Sequence, residues 1–157
     1  MKEKKLIAEW GNKGIDAAAA FVSDWEGLKL EAYKPVPSEK NWTIGYGHCS
    51  PAVKEGDRID EITAFLWLDA DLKYFQTRMA ELVSVPVTLT QSTALLSFVY
   101  NIGLGAFKRS TLRKEINAGR IANASYEFLR WNRAGGKVVD GLTRRRYAER
   151  ALFMDGV

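Results

Sequence analysis

The stretch Trp25-Glu26-Gly27-Leu28-Lys29-Leu30-Glu31-Ala32-Tyr33, followed after a proline-bearing turn by Trp42-Thr43-Ile44-Gly45-Tyr46-Gly47-His48, decides how this chain is read. Upstream of it, Ile15, Ala18, Ala19, Val22 and Trp25 recur at the three- and four-residue spacing of an amphipathic helix. Asn12 is placed to cap that helix and Gly27 to stop it. Glu26 therefore stands at a helix C-terminus, where the helix dipole opposes a negative charge. Beyond Gly27 the period changes. Leu28, Leu30 and Ala32 alternate with Lys29, Glu31 and Tyr33, the pattern of a half-buried strand. Residues 34–41 carry Pro35 and Pro37 and read as a turn. Trp42, Thr43, Ile44 and Tyr46 supply a second strand, ending in Gly45, Gly47 and His48. An antiparallel sheet of two or three strands is too small to stand alone and needs a partner layer.

The rest of the chain supplies that layer. Asp60 is expected to cap a helix with Ile62, Phe65, Leu66, Leu68, Leu72, Phe75, Met79 and Leu82 on its apolar side, broken by Pro86. Thr90 is expected to cap an apolar helix over 94–100, ended by Gly103 and Gly105. Ser110 caps a short helix closed by Gly119, residues 121–131 form another, and Gly135–Gly136 make a loop. Asp140 caps a last helix over 142–154. One helix, a small sheet and then a helical bundle predict an α+β protein of one domain, with lobes at about 12–60 and 61–157 and a cleft between them.

Composition narrows the function classes. In 157 residues, 46% hydrophobic and 27% charged content exclude a disordered chain. No apolar run reaches the ~18–20 residues of a bilayer span, so no stable membrane insertion is expected. The basic residues 1–6 are followed by Glu9, Asn12, Lys13 and Asp16, which break any secretory signal. Cys49 and His48 stand alone in their kinds, which excludes an intrachain disulfide and a structural zinc site; no metal and no cofactor are expected. A net charge of +4 draws polyanions such as nucleic acid, anionic lipid or bacterial wall. Nucleic acid is disfavoured. The basic run Arg144-Arg145-Arg146 has only Tyr147 as an aromatic neighbour, and adjacent helical residues point in different directions.

The chemistry concentrates in the quoted stretch. It sets an acid beside Trp25 and returns the Thr43 hydroxyl across a hairpin to the same neighbourhood. Glycosidic cleavage needs an acid to protonate the leaving oxygen and a second group to manage a water or the developing cation. Trp25 and the helix dipole would both favour the protonated carboxyl. The bland alternative is a solvated glutamate before a helix-ending glycine.

The strings EGLKLEAY (26–33) and WTIGYGH (42–48) resemble the catalytic hairpin of the phage-type lysozymes, the endolysin muramidases of glycoside hydrolase family 24. LTQSTALLSFVYNIGLGAFKRSTL (89–112), FLRWNRAGGKVVDGLTRRRYAERALF (128–153) and the capped helix after GDRIDE (56–61) resemble the same family in the same order, so the likeness spans about residues 15–154. It implies a lysozyme-like fold, with the N-terminal helix and small antiparallel sheet packed against a mainly helical C-terminal lobe. It implies cleavage of the β-1,4 bond between N-acetylmuramic acid and N-acetylglucosamine in peptidoglycan, with Glu26 as general acid. Further implications are a monomer, synthesis in the host cytoplasm and holin-type release to the wall. Gly47, Tyr100, Asn101 and Ser110 match positions that touch saccharide in the family. His48 matches a scaffold residue near the cleft, and two of Arg144–Arg146 with Glu149 are implied to hold the last helix to the bundle. Trp131 reads as core.

One position departs from the family pattern of a Glu, eight residues, an Asp or sometimes a Cys, five residues, then a Thr. Counting forward from Glu26 reaches Pro35, and counting back from Thr43 reaches Pro37. Three readings follow. Glu39 on the lengthened turn substitutes as the second carboxylate, Glu26 acts with a water positioned by Thr43, or activity is lost and wall binding remains. A base at Glu39 should lie ~6.5–9.5 Å from the Glu26 carboxyl. Lytic transglycosylation, which needs one acid, is the nearest alternative reaction. A basic nucleic-acid module, with binding that falls steeply in salt, is the distant one.

Overall fold

The computed structural model describes residues 1–157. The first helix, α1 (Gly11–Glu26), is held at its start by packing and not by a polar cap. Asn12 lies inside the first turn. The cap position belongs to Trp10, buried at the end of a 3-10 turn (Ile7–Trp10), and its indole donates to the Val87 carbonyl at 3.1 Å. Burying Ile7 and Trp10 outweighs the fraction of stability a side-chain cap supplies. At the other end, Gly27 takes φ +67 and its N–H donates to Ser23, so the chain turns sharply just after Glu26.

Three antiparallel strands follow in spatial order β1 (Lys29–Tyr33), β2 (Trp42–Gly45) and β3 (His48–Ser50). Tyr33 pairs with Thr43, and Thr43 with Cys49. Alternation along a strand puts these three on one face and Ala32 and Ile44 on the other. The second face packs with Val53 into a small core, flanked by Trp42, Ile59 and Trp67. The apolar alternation expected of β1 holds only at Ala32, since Leu30 is 43% exposed. Main-chain bonds from Ala32 to Asp57 and from Ile59 to Leu30 cover the outer edge of β1.

Asp60 caps α2 (Glu61–Ala80), accepting from the Thr63 N–H at 2.7 Å. Its buried stripe is Ala64, Leu68, Leu72, Gln76 and Met79. Ile62, Phe65 and Leu66, expected on the apolar side, face solvent, because the first turns of α2 meet only the small sheet. The helix also ends at Ala80, ahead of Pro86. Thr88 caps α3 (Leu89–Ile102), and not Thr90: Thr88 and Gln91 exchange side-chain and main-chain bonds at 3.1 and 3.0 Å. This reciprocal box satisfies two orphan amides, which Thr90 cannot do. From Gln91 to Val99 every residue of α3 is buried.

Three short helices come next: α4 (Leu104–Arg109), α5 (Thr111–Asn117) and α6 (Ile121–Glu127), the last continuing as a 3-10 turn to Arg130. Where a plain loop was expected around Gly135–Gly136, β4 (Arg133–Ala134) and β5 (Lys137–Val138) form a hairpin, both glycines taking positive φ. In α7 (Asp140–Phe153), Asp140 is the first helical residue and Val139 holds the cap position without a side-chain bond.

The architecture is therefore α+β, a small sheet against a helical lobe. Its main core unites Ile15, Ala18, Ala19 and Val22 of α1 with α2, α3 and α7. Thus α1 packs with the helices, and the sheet with the segment through Ile59 makes the lesser lobe, a division different from one at residue 60. No helix is long and apolar enough to cross a membrane. Truncating Leu72, which is fully buried, to Ala should cost about 2–5 kcal/mol in urea unfolding, whereas Leu66→Ala on the same helix should stay within about 0.5 kcal/mol.

Candidate active site

Glu26 ends α1 where the two lobes join, with its side chain 19% exposed. Its Oε1 accepts from Arg145 Nη1 at 2.6 Å. Across from it, Gly47 sits in the β2–β3 turn at φ +86, and a Cβ there would stand 2.9 Å from Glu26 Oε2 and 3.4 Å from the Tyr100 ring. A glycine is required twice over, for its backbone conformation and for the room it leaves beside the carboxylate.

Tyr33, Thr43 and Cys49 run in one row across the sheet on this side. Burial raises the Tyr33 phenol above its ordinary range, with the charges of Glu26, Glu39 and Cys49 adding to the rise. Thr43 is buried and Cys49 exposed. Gly47, Cys49, Asp71, Tyr74, Phe75 and Tyr100 line a hollow of about 260 Å³. Tyr100 donates to the Tyr46 carbonyl at 2.6 Å, and burial followed by Asp71 and Glu26 drives its phenol far up, so it stays a neutral donor. Its ring meets Phe75 edge-on, which makes it part wall and part core. Asn101, exposed, accepts from Arg146 Nη2 at 2.8 Å and keeps its amide N–H groups for another acceptor.

Ser110 does not join this group. Its hydroxyl is buried, donates to the Phe107 carbonyl and accepts from the Arg113 N–H as the cap of α5. Nor does Pro35, exposed on the turn after β1. Glu39 lies half-buried on that same turn. His48 Nδ1 lies 2.7 Å from Asp71 and the ring packs on Trp67, tying sheet to α2 as a scaffold imidazole would.

Beneath Glu26 lies a buried charge network. Arg145 contacts Glu149 at 3.2 Å and the Ser97 carbonyl at 3.1 Å as well as Glu26. Arg146 donates from Nη2 to Glu149 Oε1 at 3.2 Å, its Nε lies 2.9 Å from Oε2 out of hydrogen-bond alignment, and its guanidinium lies over the Phe98 ring. Burial lowers the Arg146 guanidinium to about 10, against the pull of Glu149, so it remains charged at neutral pH. Burial raises the Glu149 carboxyl, opposed by both arginines and Ser97. The pairing of two arginines with Glu149 agrees with the sequence reading. The reach of Arg145 to Glu26, 119 residues away, had no signal in the sequence, because the spacing of charges on α7 reports only local partners.

The site thus offers an acid, polar groups on the facing sheet, a sugar-sized hollow and no cluster suited to a metal ion. The family model described as phage lysozyme matches residues 23–149. The endolysins of Bacillus phages B103 and PZA are each 46% identical over 140 residues, covering 89% of this chain and 53% and 54% of their own. The chain therefore spans about half the length of these relatives. The solved endolysin from Escherichia coli O157:H7 phage FAHEc1 superposes with a TM-score of 0.75 at 34% identity, covering 100% of this chain and 98% of that one.

Gly47→Ala should unfold about 1–2 kcal/mol more easily from its left-handed backbone alone, and should lower any Glu26-dependent activity. Glu149→Ala, which leaves the buried Arg146 guanidinium without a carboxylate and Arg145 with Glu26 alone, should cost about 3–5 kcal/mol in denaturant melts.

Proposed function

Because the chain belongs to the phage lysozyme family, we propose that it hydrolyses the β-1,4 bond between N-acetylmuramic acid and N-acetylglucosamine in peptidoglycan. The observation that carries this reading is Glu26, an accessible carboxyl at the lobe junction with Gly47 opposite and Arg145 behind it. In this reading Glu26 serves as the general acid, in a cleft from which the bound sugar displaces water. It gives its proton to the leaving oxygen. The carboxylate so formed is received by Arg145, which three other contacts, to Glu149, Ser97 Oγ and the Ser97 carbonyl, already hold in place. A cation fixed in advance stabilises that charge without moving.

Thr43 and Glu39 are assigned to the water, Glu39 as the base that replaces the acid missing at Pro35. Its support is its place, half-buried on the turn that joins β1 to β2. Asn101 and the face of Tyr100 are assigned to saccharide, and Ser110 to the fold alone. The protein acts as a monomer on the wall, reaching it from the host cytoplasm by holin-type release, which fractionation before and after lysis would test.

Digestion of purified peptidoglycan, with mass analysis of the soluble products, is the decisive test. The wild type should release reducing-end disaccharide peptides. Glu26→Gln should lose about 10²–10⁴ in rate, and Glu39→Gln should fall toward the same range. Anhydro products from the wild type would make the reaction a lytic transglycosylation. Binding without any release would reduce the protein to a wall-binding one.

A further inference from the structure

With Pro35 in place of an acid, the attacking water is left to Thr43 and Glu39, and neither has a neighbour yet assigned to hold that water between them. Two residues before Pro35, at the last position of β1, stands Tyr33. It occupies the same cross-strand row as Thr43, on the face away from Ala32 and Ile44. The Tyr100 hydroxyl is committed to the Tyr46 carbonyl. The half-buried Tyr33 phenol is instead governed by burial and by the charges of Glu26, Glu39 and Cys49 around it. It is therefore a neutral donor and acceptor at neutral pH, on the sheet face that carries Thr43 and Cys49.

We propose, on the muramidase reading, that Tyr33 is a fourth catalytic residue, beside Glu26, Thr43 and Glu39, whose phenol hydroxyl helps its strand neighbour Thr43 hold the water that attacks the anomeric carbon. The water oxygen bonds to that carbon as the bond to the leaving oxygen breaks. The leaving oxygen takes the Glu26 proton, and the water gives one proton to Glu39. Tyr33 keeps its own proton throughout and supplies only hydrogen bonds. Solvent then returns a proton to Glu26 and removes one from Glu39.

Tyr33→Phe deletes one oxygen and keeps the ring. With peptidoglycan as substrate, turnover should fall about 10- to 100-fold, the size of one hydrogen bond made mainly in the transition state, while KM stays within about twofold. The anhydro share of the products should rise, because the sugar's own C6 hydroxyl competes with a poorly held water. A purely structural tyrosine would not move that ratio. Combining Tyr33→Phe with Glu39→Gln should cost less than the product of the two single losses, since both act on one water. Tyr33→Gln, which keeps polar atoms, should retain more activity than Tyr33→Leu, which keeps apolar volume; this comparison holds even where Tyr33→Phe lowers the melting temperature. Wild-type turnover and product ratio in Tyr33→Phe would overturn the proposal alone. Anhydro products as the sole output of the wild type would overturn it too. A wild type that releases nothing overturns the muramidase reading, and the role of Tyr33 with it.

Discussion

The buried contact of Arg145 with Glu149 and Glu26 is the constraint on which the rest depends. Burying two guanidinium groups and a carboxylate carries a large desolvation cost, offset only if each charge is matched at close range. Here matching takes residues from three helices: Glu26 from α1, Ser97 from α3, and Arg145, Arg146 and Glu149 from α7. Helices α1 and α7 cannot shift against α3 without stranding a charge. That sets where α1 ends, and so where Glu26 stands. Asn101, at the far end of the same network, is placed by Arg146 in the same way.

Much of the fold was legible because it rests on local chemistry. Gly27 as a stop, Asp60 and Ser110 as caps, and the change from helical to alternating period after residue 27 are decided within a few residues. The misses share a cause, since tertiary contacts outvoted a local signal. Asn12 lost its capping role to a buried tryptophan, and Thr90 lost its own to a Thr88–Gln91 box that the sequence did in fact contain. The exposed Ile62, Phe65 and Leu66 obey helical period, but the small sheet offers nothing to cover them.

The site divides along the same line. Glu26, Thr43 and Gly47 were readable because they sit on one contiguous stretch of chain; the structure sets Gly47 against the Glu26 carboxyl and puts Thr43 in the row of Tyr33 and Cys49 across the sheet. Ser110 was drawn in by position along the chain, yet its hydroxyl faces its own helix. Arg145 and Tyr33 carried no comparable signal. Arg145 acts across 119 residues, and Tyr33 reads in sequence as an ordinary polar position of an alternating strand. Pairing register, which only the folded sheet supplies, gives Tyr33 its neighbours.

The turn at Gly27 has a mechanical side. Glu26 belongs to the larger body and β1 to the smaller, and only two residues, Gly27 and Leu28, separate them. Points close to a pivot travel least when two bodies rotate. On the proposed function, a cleft that takes in a stiff, cross-linked polymer needs more play at its rim than at the reacting bond. Glu26, at the turn that joins the two bodies, is the point that any such play would displace least.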